Sequence, residues 1–160
     1  MIGADDFRRV LGHFATGVTV VTTCDADQRP TGLTVSAFSS LSLDPPLVLV
    51  CVDHKSQSYP ALRDSRRFAV NVLATDQEAV SRRFATTRMD KFDGVRHRLG
   101  TLGTPLIEGA LAHLECVTVA AHVEGDHTVF VGRVEHAGAG RGEPLLYFRG
   151  KYGRLEGSPS

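Results

Sequence analysis

Two long strand-forming runs, residues 110–124 and 127–136, are joined by only the dipeptide Gly125-Asp126. A two-residue connection of this kind suits the right-handed twist of paired strands and predicts a long antiparallel hairpin. Pairing Glu124 with His127 across the turn places His122 and Val129 on one face. Val119, Ala121, Val123, Thr128 and Phe130 then line the other, more apolar, face in period two. Further strands follow from composition. Residues 18–24 (VTVVTTC) are β-branched almost throughout, and the polar stretch 25–30 reads as a turn into a second strand from Thr31 to about Ser40. Residues 47–52 (LVLVCV) carry apolar side chains at both strand parities, which predicts a strand buried on both faces. Residues 67–73 and 145–149 supply two more.

Helical patterning is sparse. Phe7, Val10, Leu11 and Phe14 follow the i, i+3, i+4, i+7 spacing behind Asp5 and Asp6, predicting a short amphipathic helix that ends near Thr16 and Gly17. Residues 56–64 offer a capping serine and an early proline, and residues 76–84 place acids first and arginines last, so each predicts a short surface helix. Residues 88–104 have glycines at 94, 100 and 103 and little periodicity, and are expected to form a loop. At least six strands with two or three short helices in irregular alternation predict a mainly β fold, a closed or partly closed barrel, and not a doubly wound sheet. A chain of 160 residues fills one such domain, 1–160.

Charge narrows the function. Eighteen basic side chains balance eighteen acidic ones, which argues against nucleic acid or an anionic membrane surface as partner. The opening MIGADDFRRVLGHFA lacks the basic-then-apolar order of a signal peptide, and no run reaches transmembrane length, so a soluble cytoplasmic protein is expected. Cys24, Cys51 and Cys116 are far apart and odd in number, which favours free thiols. The seven histidines show no metal-ligand spacing, and His113 and Cys116 fall on opposite strand faces, so no metal site is expected.

Residues 34–42 (TVSAFSSLS) pack five hydroxyls into nine positions ahead of a Pro-Pro turn. Hydroxyls at a strand end can simply satisfy their own backbone. They can also close around an anionic group such as a phosphate. Residues 54–60 (HKSQSYP) follow a strand and open a helix, where free N–H groups and Lys55 would favour an anion. Two such segments on neighbouring strands would make a phosphate cradle; Lys55 as a solvated surface lysine is the competing reading. The glycines of residues 138–142 precede a strand and open no helix, so they are expected to form a turn and not a nucleotide loop.

The segments FATGVTVVTT, GLTVSAFSSLSLDPPLVLVCV, FAVNVL, DKF, GDH and LLYFRGKYG occur in an order that resembles the short-chain flavin reductase family, and the resemblance covers nearly the whole chain. That family includes the reductase components of two-component flavin-dependent monooxygenases. The resemblance implies a split β-barrel, a homodimer, and FMN or FAD reduced by NADH or NADPH. It places Thr34, Val35, Ser36 and Ala37 along the flavin ring and ribityl chain, with Ser39 and Ser40 toward the phosphate. Cys51 and Val52 would line the flavin, and Lys55, Ser56 and Ser58 would complete the cradle. Phe92 would either cover a ring or pin its loop. His127, in the GDH turn, would position the nicotinamide and stabilise charge developing on the flavin. Reduced flavin would pass to a partner monooxygenase. Tyr147, Arg149 and Tyr152 are candidates for a dimer or nucleotide contact, or for core. A non-enzymatic flavin-binding or electron-carrier module on the same fold is the alternative. An oxidase of the pyridoxamine-phosphate type would need an arginine cluster that the matching segments lack.

Overall fold

The computed structural model describes residues 1–156. In chain order the elements are α1 (Ala4–Leu11), β1 (Thr16–Gly17), β2 (Thr19–Cys24), β3 (Pro30–Val35), β4 (Phe38–Leu43), β5 (Pro46–Asp53), α2 (Tyr59–Ser65) and β6 (Arg67–Val72). Then come α3 (Glu78–Phe84), β7 (His97–Leu99), β8 (Pro105–Ile107), β9 (Ala112–Glu124), β10 (His127–Ala139), β11 (Leu146–Phe148) and β12 (Lys151–Gly153). Seven strands form one antiparallel sheet in the order β3-β2-β6-β9-β10-β5-β4.

That order forces the shape. β3 and β4 are the two edges of the sheet, yet only Ser36 and Ala37 separate them in the chain. Laid flat, seven strands would hold their edges about 29 Å apart at the usual strand spacing. The linker reaches at most about 11 Å from Val35 to Phe38. The sheet therefore rolls until its edges meet at the Ser36-Ala37 corner, where the Phe38 N–H donates to Ser36 O at 2.9 Å. No ladder pairs β3 with β4, so the roll is open along that seam. The single strand expected from Thr31 to about Ser40 is thus two strands on opposite edges. Propensity runs unbroken through the corner, and closure of the sheet, not composition, breaks it.

Val21, Val35, Val48, Val50, Val52, Phe68, Val70, Cys116 and Phe130 fill the inside of the roll, and Leu62 on α2 plugs one end. Along β5 the valines at 48, 50 and 52 point inward, while Leu47, Leu49 and Cys51 are only half-buried on the outer face. The expectation of burial on both faces is corrected: the second apolar face lies open to the surroundings. A second core, Val18, Val20, Leu73, Phe84, Ile107 and Leu145, covers the outside of β2 and β6 beneath α3 and β8. Asn71 ties this side together. Its amide donates to Val20 O at 2.9 Å and Thr22 Oγ1 at 3.1 Å, and its Oδ1 accepts the Ile107 N–H at 2.8 Å.

The loop expected over 88–104 contains β7, which pairs with β8. Its return is ordered by the buried Glu115 carboxylate, which accepts the N–H groups of Thr101 and Leu102 and the Thr104 hydroxyl. β11 pairs with both β1 and β12. Gly138 and Ala139 continue β10 and are not part of a turn. Phe7, Val10 and Leu11 on α1, and Phe14 just beyond its end, are exposed, and no α1 side chain is buried.

The long hairpin has the expected register near its turn: Glu124 faces His127, His122 faces Val129, and Ala121 faces Phe130. A bulge between Val131 and Gly132 then leaves Val119 over, and it is exposed instead of sharing the apolar face. Gly132 has a packing reason. A Cβ there would lie 2.5 Å from Phe68 Cζ and 2.8 Å from Cys116 Cβ. Gly132→Ala should therefore cost about 1–3 kcal/mol by overpacking, read as a lower urea midpoint at unchanged m-value.

Candidate functional site

The rolled sheet carries a floor on its outer face. The Cys51 N–H donates to Ala37 O at 3.0 Å, which holds the corner against β5. The register sets Cys51 beside Val129 and Leu49 beside both Val131 and Ser39. Strand alternation puts these side chains on one side, so they form a half-buried apolar strip bordered by hydroxyls. Two residues beyond Val129, on the same face, His127 pairs with Asp53.

The histidine end is built from the Gly125-Asp126 turn, where Gly125 has φ 62°. His127 Nδ1 lies 2.7 Å from Asp126 Oδ1. A carboxylate only accepts, so Nδ1 carries the hydrogen and Nε2 is left for a ligand. The His127 hydrogen bond and charge hold the Asp126 carboxyl below its ordinary range, with a smaller contribution from Lys55. Lys55 therefore belongs to this corner. Its N–H donates to Asp53 Oδ1 at 2.8 Å, and the neighbouring His54 N–H donates to Asp126 O at 3.0 Å. Beneath them, His54 Nε2 and Tyr59 Oη both meet the buried Thr128 hydroxyl, at 2.9 and 3.0 Å. The turn is braced from three sides.

The remaining site residues divide. Ser36, Ala37, Ser39 and Ser40 are exposed at and after the corner. Thr34 instead donates its hydroxyl to Ser81 O at 2.6 Å, which docks α3 on β3. Val35 and Val52 sit in the inner core, so only their backbone faces outward. Ser56 Oγ accepts the Ser58 N–H at 3.3 Å. α2 starts at Tyr59, three residues later than the sequence predicts, and has seven residues. Ser58 is buried; its Oγ lies 2.7 Å from Thr31 Oγ1 and donates to Gly32 O at 2.9 Å. Phe92 packs edge-on against Phe84 at 4.9 Å and His97 at 4.7 Å, so it pins its loop. Tyr147 and Tyr152 pack on the second core, and Tyr152 Oη meets Ser81 Oγ at 2.8 Å.

Sequence reasoning passed over Lys91, the middle residue of the DKF segment. It is 6% exposed, and its ammonium donates to Gly32 O at 3.1 Å and Phe84 O at 3.2 Å. Burial lowers its pKa. No carboxylate pairs with it among the described residues. Arg83 fixes the segment from outside, donating to Lys91 O at 2.6 Å and Asp90 O at 2.7 Å. Arg88 clamps the Asp90 carboxylate, whose pKa falls to about 2. Lys91 and Ser58 thus converge on the free edge of β3 at Gly32. A buried ammonium with only neutral acceptors suits an added anion, because a buried charge is costly unless compensated. The signal in the sequence was the DKF segment of the family resemblance, from which only Phe92 was given a role.

The candidate site is thus an open apolar strip with a histidine at one end, with the buried Lys91 ammonium held separately on β3. The chain belongs to the flavin reductase family: the model of the flavin reductase like domain matches residues 11–156. A reductase subunit of a flavin-dependent monooxygenase from Mycobacterium tuberculosis is 46% identical over 153 residues, covering 94% of this chain and 81% of that one. An NADH-dependent flavin reductase from a Rhodococcus species is 44% identical over 151 residues, with 93% and 85% covered. Among solved structures, the NADH:FAD oxidoreductase of Streptomyces globisporus, in complex with NAD and FAD fragments, superposes with TM-score 0.92 at 41% identity, covering 100% of this chain and 99% of that one. No helix among the described residues is long and apolar enough to cross a membrane. No cluster of three or more potential metal ligands occurs among them.

The Asp126–His127 pair is directly testable. Since the His127 contact is what lowers the Asp126 carboxyl, His127→Gln should raise that pKa toward the ordinary carboxylate value. A 13C-detected NMR titration of the Asp126 carboxyl reads the change, and an unmoved midpoint would remove the contact from the account.

Proposed function

We propose that this chain is an NAD(P)H:flavin oxidoreductase that reduces FMN or FAD and hands reduced flavin to a partner monooxygenase. The observation that carries the proposal is the half-buried strip of Leu49, Cys51 and Val129 with His127 at its end, in a chain of the flavin reductase family. The seam between β3 and β4, closed only by Ser36 and Ala37, is read here as the opening of a split β-barrel. When bound, the flavin supplies an acceptor for hydride from a reduced nicotinamide.

The chain supplies geometry. The Ala37–Cys51 contact and the strip give a planar ring one face to lie on and leave the other face for the nicotinamide. Ser36, Ser39 and Ser40 offer hydroxyls along the polar border. Lys91, with Thr31 and Ser58 beside it, holds a phosphate at the Gly32 edge. His127 Nε2 orients the donor and stabilises negative charge in the transition state; holding two reactants in near-attack geometry supplies much of the rate. An edge-held ligand can also leave, as delivery to an oxygenase in the cytoplasm requires. A second copy of this chain covers the apolar patch at α1 in a homodimer, a reading supported by the exposed Phe7, Val10 and Leu11 of α1 and the exposed Phe14 beyond it.

Absorbance loss at 340 nm, with each nicotinamide and each flavin in turn, tests the activity. Tight flavin binding without turnover with either nicotinamide would instead make the chain a flavin carrier. His127→Ala should slow flavin reduction by about 10²-fold, the scale set by misplaced reactants, with flavin affinity little changed. Cys51 is the half-buried thiol, whereas Cys24 and Cys116 are buried, the latter with its pKa pushed up to about 12. In the native protein a maleimide should therefore label Cys51 first and slowly, because burial raises its pKa too. Saturating FMN should protect it; labelling unaffected by FMN places the ring elsewhere.

A further inference from the structure

His54 reaches the chain on both sides of His127. Its backbone N–H donates to Asp126 O at 3.0 Å, and its ring Nε2 lies 2.9 Å from Thr128 Oγ1. Asp126 and Thr128 are the two chain neighbours of His127. The ladder between β5 and β10 explains the placement. Its last rungs pair Thr128 with Val52 and His127 with Asp53, so His54 is the first residue past the ladder and carries its restraint over the turn.

The side-chain half of this grip is buried. Thr128 is 2% exposed, and its hydroxyl also meets Tyr59 Oη at 3.0 Å. A hydroxyl has one hydrogen to donate and two lone pairs, so Thr128 serves both partners whichever tautomer His54 adopts. The rings are fixed in turn. His54 lies 4.9 Å from Tyr59, centre to centre, and Tyr59 lies 6.1 Å from Phe130 of the inner core. Side chains alternate along a strand, so Thr128 points inward to this cluster while His127 points outward to the strip. A hold on the Thr128 hydroxyl therefore fixes the backbone from which the imidazole projects, without touching the imidazole or a molecule bound beside it.

We propose that His54 is a positioning residue for hydride transfer: by gripping Asp126 and Thr128 it holds His127 at the angle that orients the reduced nicotinamide, and it leaves flavin binding untouched. The inference rests on the flavin reductase reading above, in which His127 Nε2 meets the donor, and adds to it the residue that aims the imidazole.

Steady-state oxidation of the reduced nicotinamide by the whole chain at saturating flavin tests it, with flavin Kd from fluorescence titration and Tm measured alongside. His54→Phe keeps a ring against Tyr59 and the backbone N–H but loses Nε2. It should lower kcat/KM for the nicotinamide about tenfold, a loss within the range of misplaced reactants, with flavin Kd unchanged. His54→Gln, whose amide reaches the Thr128 hydroxyl, should recover most of that loss. In a His127→Ala background His54→Phe should cost nothing further, because the group it positions is gone. A lower Tm with unchanged kcat/KM would make the cluster structural only and overturn the proposal. So would an equal loss with and without the His127 side chain, or a Gln variant no faster than the Phe variant. Should His54→Phe fail to fold, Tyr59→Phe, which removes only the second partner of the Thr128 hydroxyl, should lower kcat/KM several-fold and again only while His127 is present; no loss there overturns the proposal equally. Failure of the wild type to oxidise either nicotinamide with either flavin would overturn the flavin reductase reading itself.

Discussion

The structure depends on a covalent constraint of two residues. Ser36 and Ala37 join the two edge strands of a seven-stranded sheet, and nothing longer is available to let the sheet stay flat. Rolling creates an inside, filled by the valines of β2, β3 and β5 with Phe68 and Phe130, and one open end for Leu62 of α2 to plug. It also creates a seam. Edge strands expose unpaired backbone groups that invite other chains, and here each edge is managed locally. β3 has its Gly32 carbonyl taken by Ser58 and Lys91 and its Thr34 side chain docked on α3. β4 is short, bulged near Ser40 and rich in serine. The groups that quiet the β3 edge thus include the Lys91 ammonium, the one buried among the described residues' lysines, which stands on carbonyls alone.

The outer face follows from the same rolling. Since the valines of β5 face inward, its other parity must face outward, and those positions are Leu47, Leu49 and Cys51. Apolar side chains on an exposed face reduce stability in isolation and are retained where something flat or complementary covers them. The neighbouring strand carries Val129, Val131 and His127 at matching register, so the floor and the histidine come from one ladder. Their spacing is therefore a property of the sheet and not of a mobile loop. The GDH turn, braced by His54, Tyr59 and Thr128, extends that rigidity to the imidazole.

Much of this was legible from residue pattern. The hairpin turn and its near register follow from Gly125-Asp126 and period-two alternation, which cannot foresee the register shifts at Val131/Gly132, where Val119 is left over, and at Val134/His136. The 47–52 run was rightly a strand, but apolar residues at both parities cannot distinguish double burial from one buried and one half-buried face. The break at Ser36-Ala37 was invisible because hydroxyl and β-branched residues suit either side of the corner; only the pairing of distant strands reveals it. The late start of α2 has a similar cause. Ser58 resembles a cap, but its hydroxyl is drawn to Thr31 and Gly32, contacts across 27 and 26 positions of sequence. Lys91 was hidden for the opposite reason, since a lysine in a charged loop looks solvated until Arg83 and Phe92 fold that loop onto β3.

The division of labour along β3 ties fold to function. Gly32, whose carbonyl holds the Lys91 ammonium, and Val35, next to the Ser36-Ala37 corner that meets Cys51, are three residues apart on β3, about 10 Å at the usual rise. β3 therefore runs from the carbonyl that holds the Lys91 ammonium to the corner that holds β5. The floor is half-buried, the hydroxyls at Ser36, Ser39 and Ser40 are exposed, and the Lys91 ammonium is held by the Gly32 and Phe84 carbonyls. In the proposed reading, registration at two points without enclosure would orient a flavin for hydride transfer and leave it a route of departure, as a flavin handed on to an oxygenase needs.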